Sequence, residues 1–172
     1  MINDFVTGVF KSDRAMKIIP NIKALLEYAR SQKAPVVYAT DAHLSGVDPE
    51  FDVWGPHAVA GSWGADIVNE LRPSKEDFRV LKRKYSAFQG TDLDQLLREL
   101  KVDTVILTGV VTDICIQHTA ADAFFRGYRI IVPEDCVEAV DAKTQAEAIR
   151  FIRKAYGPEI TTSEQLMKKK WT

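Results

Sequence analysis

The feature that most constrains this chain is an alternation: short runs of β-branched residues take turns with segments whose apolar residues recur at helical spacing. A chain patterned this way folds as a parallel sheet with crossover helices. Pro20 opens a helical segment with Ile22, Leu25, Leu26 and Ala29 on one face, and residues 36 to 39 follow as a strand. After an irregular stretch rich in Gly, Pro and Trp, residues 41 to 64, the residues Ile67, Val68 and Leu71 predict a short helix and residues 78 to 81 a second strand. Thr91 and Asp94 read as a capping box for a helix that buries Leu93, Leu96, Leu97 and Leu100, with its strand at residues 104 to 107. Residues 115 to 126 form a helix stopped by Gly127, residues 128 to 132 a strand, residues 144 to 156 a helix stopped by Gly157, and residues 160 to 162 a last strand. The run Lys168, Lys169, Lys170 is a solvated tail. The expected fold is α/β, a doubly wound, mainly parallel sheet with helices on both faces, in one domain over residues 1 to 172.

Charge and composition narrow the function. Lys+Arg total 23 against Asp+Glu 24, a net charge of -1, so there is no basic excess to attract nucleic acid or an anionic membrane. No apolar run approaches the roughly 18 residues of a membrane span. The N-terminus lacks a basic region and a long apolar stretch, and the 2 cysteines are too few for a disulfide framework, so a reducing, cytoplasmic setting is expected. A multi-cysteine zinc module is excluded as well, whereas a catalytic thiol or one mixed metal site is not.

In open parallel sheets chemistry gathers where the strands end at their carboxyl side. Cys115 follows a strand that ends near Gly109 and turns into a helix. A thiol in that first turn meets unpaired N–H groups and the positive helix end, which favour thiolate and could hold an oxyanion. Position alone leaves open whether Cys115 is a nucleophile or an inert buried thiol. Cys136, beside Glu134 and Asp135, reads as structural. Lys82 ends the strand at residues 78 to 81, where it either points into the site or joins Arg83 and Lys84 in a solvated turn. Asp41 and His43 alternate on one side of a strand end, and His57 follows in the Gly/Pro/Trp loop. Two His and a carboxylate suit Zn, Fe or Mn, although an Asp-x-His pair is a weak signal. His118, one turn beyond Cys115, is a packing residue.

The runs Asn3-Asp4-Phe5-Val6, Lys82-Arg83-Lys84-Tyr85-Ser86-Ala87-Phe88-Gln89-Gly90-Thr91-Asp92-Leu93 and Gly109-Val110-Val111-Thr112-Asp113-Ile114-Cys115-Ile116-Gln117-His118 resemble the isochorismatase-like cysteine hydrolases over nearly the whole chain. That family includes nicotinamidases, N-carbamoylsarcosine amidases, ureidoacrylate and biuret hydrolases, and isochorismatases. The resemblance implies Cys115 as nucleophile, Lys82 as its catalytic lysine, a cis Val110-Val111 peptide, and the N–H groups of Val111 and Cys115 as oxyanion donors. It further implies Asp41, His43 and His57 as ligands of a divalent metal, zinc above all, with no organic cofactor. Phe5, Trp54, Tyr85 and Phe88 become pocket walls, each with ordinary core packing as its alternative, and the protein is expected to form homo-oligomers.

One part of the pattern is absent. The resemblance places a proton-accepting aspartate four residues before Asp4, on a central first strand, and that position falls just ahead of Met1. Strands lie about 4.8 Å apart, so a sheet without its central strand would hold a gap of about 10 Å bordered by unpaired backbone. The expectation is that the natural product carries about ten more residues upstream, enough for such a strand. Two functions follow. The leading one is a cysteine amidohydrolase that cleaves a small amide or N-carbamoyl C–N bond through a thioester, with Trp54 suited to stack on a pyridine ring. The alternative is a binding or assembly protein that keeps the fold without the catalytic aspartate.

Overall fold

The structure, a computed structural model, describes residues 1–171. Seven strands form, all paired in parallel: β1 Val37–Asp41, β2 Phe78–Lys82, β3 Thr104–Ile106, β4 Gly109–Val110, β5 Arg129–Pro133, β6 Val137–Glu138 and β7 Glu159–Thr161. They hydrogen-bond in three groups, β1 with β2, β3 with β5 and β7, and β4 with β6. The runs β3 to β4 and β5 to β6 each continue along the chain after a short break, and both members of one pair with the corresponding member of the other.

Between β1 and β3 lies a cleft of about 690 Å³, walled by Val37 and Ala39 on one side and Val105 and Leu107 on the other. Neither facing edge has a strand partner among the described residues. The cleft lies where the sequence pattern leaves a gap, and its carboxyl end opens at Asp41, Lys82 and Cys115.

Helices cover both faces and divide the core in two. On one face α1 Asn3–Val6, α2 Asp13–Ser31 and α7 Ser163–Met167 bury Val6, Ile18, Ile22, Leu25 and Leu166. On the other, α4 Leu93–Glu99, α5 Gln117–Phe125 and α6 Ala142–Tyr156 bury Leu93, Leu97, Ala120, Ala123 and Ile152 around Val80, Ile130 and Val132. A further short helix, α3 Glu50–Trp54, lies in the loop after β1.

Several boundaries differ from those expected. Helix α2 starts at Asp13, not at Pro20, because Ser12 caps it by accepting from Ala15 N at 3.1 Å and because Ala15, Ile18 and Ile19 are already on its buried face. Pro20 sits inside the helix, where core packing outweighs one lost hydrogen bond. Thr91 does not cap α4 in the expected box. Its hydroxyl donates to Ala87 O at 2.6 Å and accepts from Leu93 N at 3.3 Å, while Asp92 holds the cap position. The segment expected as a helix around Val68 is a single 3-10 turn, Asn69–Leu71. The lysine tail is docked: Tyr28 donates to Lys169 O at 2.8 Å, and the Trp171 ring meets that of Tyr28 at 5.4 Å.

Candidate active site

The parallel register of β1 and β2 places Asp41 opposite Lys82, so two residues 41 positions apart meet at one end of the sheet. Lys82 is 4% exposed and its ammonium donates to Asp41 Oδ1 at 2.5 Å and to Lys84 O at 3.2 Å. The same ammonium lies 3.7 Å from Cys115 Sγ. Lys82 is therefore inside the site, whereas its neighbour Arg83 alternates outward. Burial works against the Lys82 charge, but the Cys115 sulfur, Asp41 and Glu50 outweigh it and hold the group protonated above its ordinary range.

Cys115 lies in a π-helical turn, Thr112–Ile116, that leads into α5. The Val110–Val111 peptide is cis, and the Val111 N–H points at the Cys115 sulfur. Of the two expected oxyanion donors, the Val111 N–H therefore lies beside the thiol. The sequence predicted a thiol biased toward thiolate, and that expectation is corrected. Burial pushes the Cys115 thiol up to about 11; Lys82 and the Val111 N–H pull it down, but Asp41 and Glu50 add to the rise. Cys136 is fully buried and pushed up to about 12 by burial and Asp135, as expected of a structural thiol.

Beside this thiol centre stands a second cluster. Ligand atoms of His43, Glu50 and His57 all lie within 4.8 Å of one another. His43 is fully buried, and neither ring nitrogen makes a hydrogen bond. Such orphaned nitrogens are costly unless something else satisfies them. His57 Nδ1 is 2.8 Å from Gly55 O, which makes it the protonated nitrogen and leaves the Nε2 lone pair free. Two imidazoles and a carboxylate with this convergence fit a divalent transition metal.

Of the expected ligands, His43 and His57 converge, and Asp41 stands at the border. Its Oδ1 is 3.6 Å from His43 Nε2 but is held by Lys82. Glu50 was not foreseen. The signal available was a carboxylate seven residues before His57 in a segment able to form one helical turn, but it was hidden among Asp48, Glu50 and Asp52 in an irregular loop.

The wall residues divide. Trp54, 43% exposed, donates from Nε1 to the Tyr85 hydroxyl at 3.0 Å, which couples the two aromatics to each other. Phe5 packs near Phe10 and His57, with ring centroids 5.8 and 6.2 Å away. Phe88 reaches the cleft lining but is core: it is 4% exposed, stacks on Tyr128 at 5.8 Å and lies under Arg126. It thus lines the cleft and also joins the main hydrophobic cluster, the ordinary core packing that was its alternative. His118 Nδ1 donates to Ile114 O at 2.7 Å, and its ring lies 5.3 Å from Tyr85.

Asp4 is used structurally. It is buried, accepts from Ala58 N at 2.8 Å and Val9 N at 3.3 Å, and so ties the N-terminal segment to the residue after His57.

Residues 1–165 match the family described as the isochorismatase domain. The chain belongs to the isochorismatase family. It is 32% identical to the uncharacterized isochorismatase family protein YaaI of Bacillus subtilis, over 98% of this chain and 93% of that one. The solved N-carbamoylsarcosine amidase from Thermoplasma acidophilum is 40% identical, covers 95% of this chain and 92% of its own, and superposes with a TM-score of 0.89. A pyrazinamidase of Pyrococcus horikoshii solved in complex with zinc is 26% identical, with 94% of each chain covered and a TM-score of 0.86. This isochorismatase-family hydrolase therefore has relatives that act on small amides. Among its described residues no helix is long and apolar enough to cross a membrane.

Proposed function

We propose that this protein is a cysteine amidohydrolase that cleaves the C–N bond of a small amide or N-carbamoyl compound. The observation that carries this reading is the line from buried Asp41 and Lys82 to the half-buried Cys115, with the Val111 N–H at the sulfur. Attack of the Cys115 sulfur on the carbonyl carbon forms a thioester and breaks the C–N bond, and the thiol proton ends on the departing nitrogen as ammonia or an amine. Water then cleaves the thioester, releasing the acid and restoring the thiol. Lys82 stabilises negative charge on sulfur, and the N–H groups of Val111 and Cys115 stabilise it on the carbonyl oxygen.

His43, Glu50 and His57 are the residues that would hold a divalent metal, with Asp41 adjacent. When bound, that ion supplies a Lewis-acid anchor for a substrate ring nitrogen or a water. Trp54 and Tyr85 form the rim against which a flat substrate stacks. The Pyrococcus relative's zinc and the Thermoplasma relative's amidase activity support this reading.

The high thiol pKa favours a second reading, a binding protein with a resting thiol. One assay separates the two: ammonia release from nicotinamide, pyrazinamide and N-carbamoyl amino acids by the zinc-supplemented chain and its Cys115→Ala variant. Turnover that disappears in the variant establishes the amidohydrolase and its substrate branch. Absence of turnover on all of them rejects it for these substrates in favour of the binding protein.

A further inference from the structure

His43 presents a problem that the cluster around it does not solve alone. A neutral imidazole carries one proton, on either nitrogen, and only the form protonated at Nδ1 offers a lone pair from Nε2. His43 Nε2 faces the cluster, 3.5 Å from Glu50 Oε2 and 3.6 Å from Asp41 Oδ1. These carboxylates attract a proton to Nε2, which would spoil the nitrogen as a ligand. Something on the other side must hold the proton at Nδ1.

That side is occupied by Asp48. Its Oδ2 lies 3.4 Å from His43 Nδ1, and its side chain is 1% exposed. Arg83 donates to it from Nε at 3.0 Å to each oxygen and from Nη2 at 2.5 Å. The Leu44 N–H donates to Oδ2 at 2.8 Å, and the Asp48 N–H returns a bond to Leu44 O at 3.1 Å, closing the turn that follows His43. The guanidinium and the Leu44 N–H hold the carboxylate in place with Oδ2 turned toward His43. Asp48 and His43 form no hydrogen bond in this structure, yet an acceptor 3.4 Å away on that side favours a proton at Nδ1 over one at Nε2.

Strand geometry explains how one end of β2 serves both clusters. Lys82 points inward to the thiol, and the next residue, Arg83, points outward to Asp48. One strand end therefore supports the thiol with one residue and the imidazole with the next.

We propose that Asp48, clamped by Arg83, is a positioning residue that fixes the tautomer and rotation of His43 so that its Nε2 lone pair faces the metal cluster. This rests on reading His43, Glu50 and His57 as a metal site. Asp48 does not touch the ion; it acts through His43, and loss of such an outer partner weakens metal binding about 10- to 100-fold.

The test uses the full chain with Co²⁺ as a visible probe. Co²⁺ is titrated into the wild type, Asp48→Asn, Arg83→Gln and His43→Ala, following the absorption bands whose intensity reports coordination, with Zn²⁺ competition for affinity and thermal melting for fold. The proposal expects saturable binding in the wild type, about 10- to 100-fold weaker binding with altered bands in Asp48→Asn, and a smaller loss in Arg83→Gln. Unchanged affinity and bands in folded Asp48→Asn overturn it and leave the metal reading intact. No binding by the wild type overturns both. Should Asp48→Asn fail to fold, the long-range ¹H–¹⁵N spectrum of wild-type His43 decides: a proton on Nδ1 supports the proposal, and a proton on Nε2 rejects it.

Discussion

Lys82 Nζ lies 2.5 Å from Asp41 Oδ1, and this ion pair divides the site. On one side the ammonium reaches the Cys115 sulfur, and on the other the carboxylate reaches toward His43. Asp41 is 7% and Lys82 4% exposed at the side chain, so neither charge has water to fall back on.

Removing one partner should therefore cost more than the pair contributes. Lys82→Met leaves a buried carboxylate without its cation and is expected to lower unfolding stability by about 3 to 5 kcal/mol in urea titrations. Turnover should fall at least about 100-fold, the scale of losing one preorganised donor. Lys82→Arg, which keeps the charge, should recover most of the stability and little of the turnover.

The thiols set an alkaline limit. Burial pushes the Cys115 and Cys136 thiols up to about 11 and about 12 in the folded chain. Below pH 9 both are protonated in either state and their contribution is complete. As pH rises from 9 toward 11 the unfolded chain loses these protons first, so stability should fall with pH across that window. Urea midpoints at pH 8, 9, 10 and 11 check the sign, and the rate of Cys115 alkylation in metal-free protein should reach its midpoint near 11, not near the 8.5 of a free thiol.

Gly64 and Gly8 exist for Asp4. A Cβ on Gly64 would lie 2.1 Å from Asp4 Oδ2, and one on Gly8 would lie 2.4 Å from Asp4 Oδ1 and 2.8 Å from Asp4 Cα. Gly64→Ala should displace the carboxylate from Ala58 N, cost about 1 to 3 kcal/mol and loosen His57, which precedes Ala58. Calorimetry measures the first effect and Zn²⁺ affinity the second.

Glu50 and Asp41 should separate on metal titration. Glu50→Gln is expected to weaken Zn²⁺ binding at least about 10-fold, and Asp41→Asn to act first on Lys82 and the thiol. Saturating zinc at about 100 times its Kd should raise the wild-type stability by about 2.7 kcal/mol, reversed by a chelator. An equal effect of the two variants on affinity would place Asp41 among the ligands.

The strands were readable because Val36, Val37, Val105, Ile106, Ile130 and Ile131 cluster between helical segments, and the thiol's strand-to-helix position followed from Gly109. Local signals set boundaries less well. Pro20 looked like a helix start because its own chemistry disfavours a helix interior, and only the packing of Ile18 and Ile19 overrides it. Helix α7 escaped notice because five residues beside a lysine run carry too little period to count. In the site, Cys115, Lys82, His43 and His57 were candidates by type and place, and only the family resemblance gave them roles. The link between Asp41 and Lys82 did not, because it depends on a parallel register set by backbone pairing between segments 41 residues apart. Glu50 and Asp48 were likewise indistinguishable from other loop acids until the fold turned one toward His57 and the other toward His43.

The cleft between β1 and β3 has a consequence for handling the protein in solution. Its two facing edges present rows of amides and carbonyls without strand partners, separated by apolar walls. Such edges accept the backbone of any neighbour that can reach them. Concentrated samples should therefore self-associate in a way that salt does little to suppress, and the amides of Val37 to Asp41 that face the cleft should exchange with deuterium sooner than those of β5, which has strands on both sides.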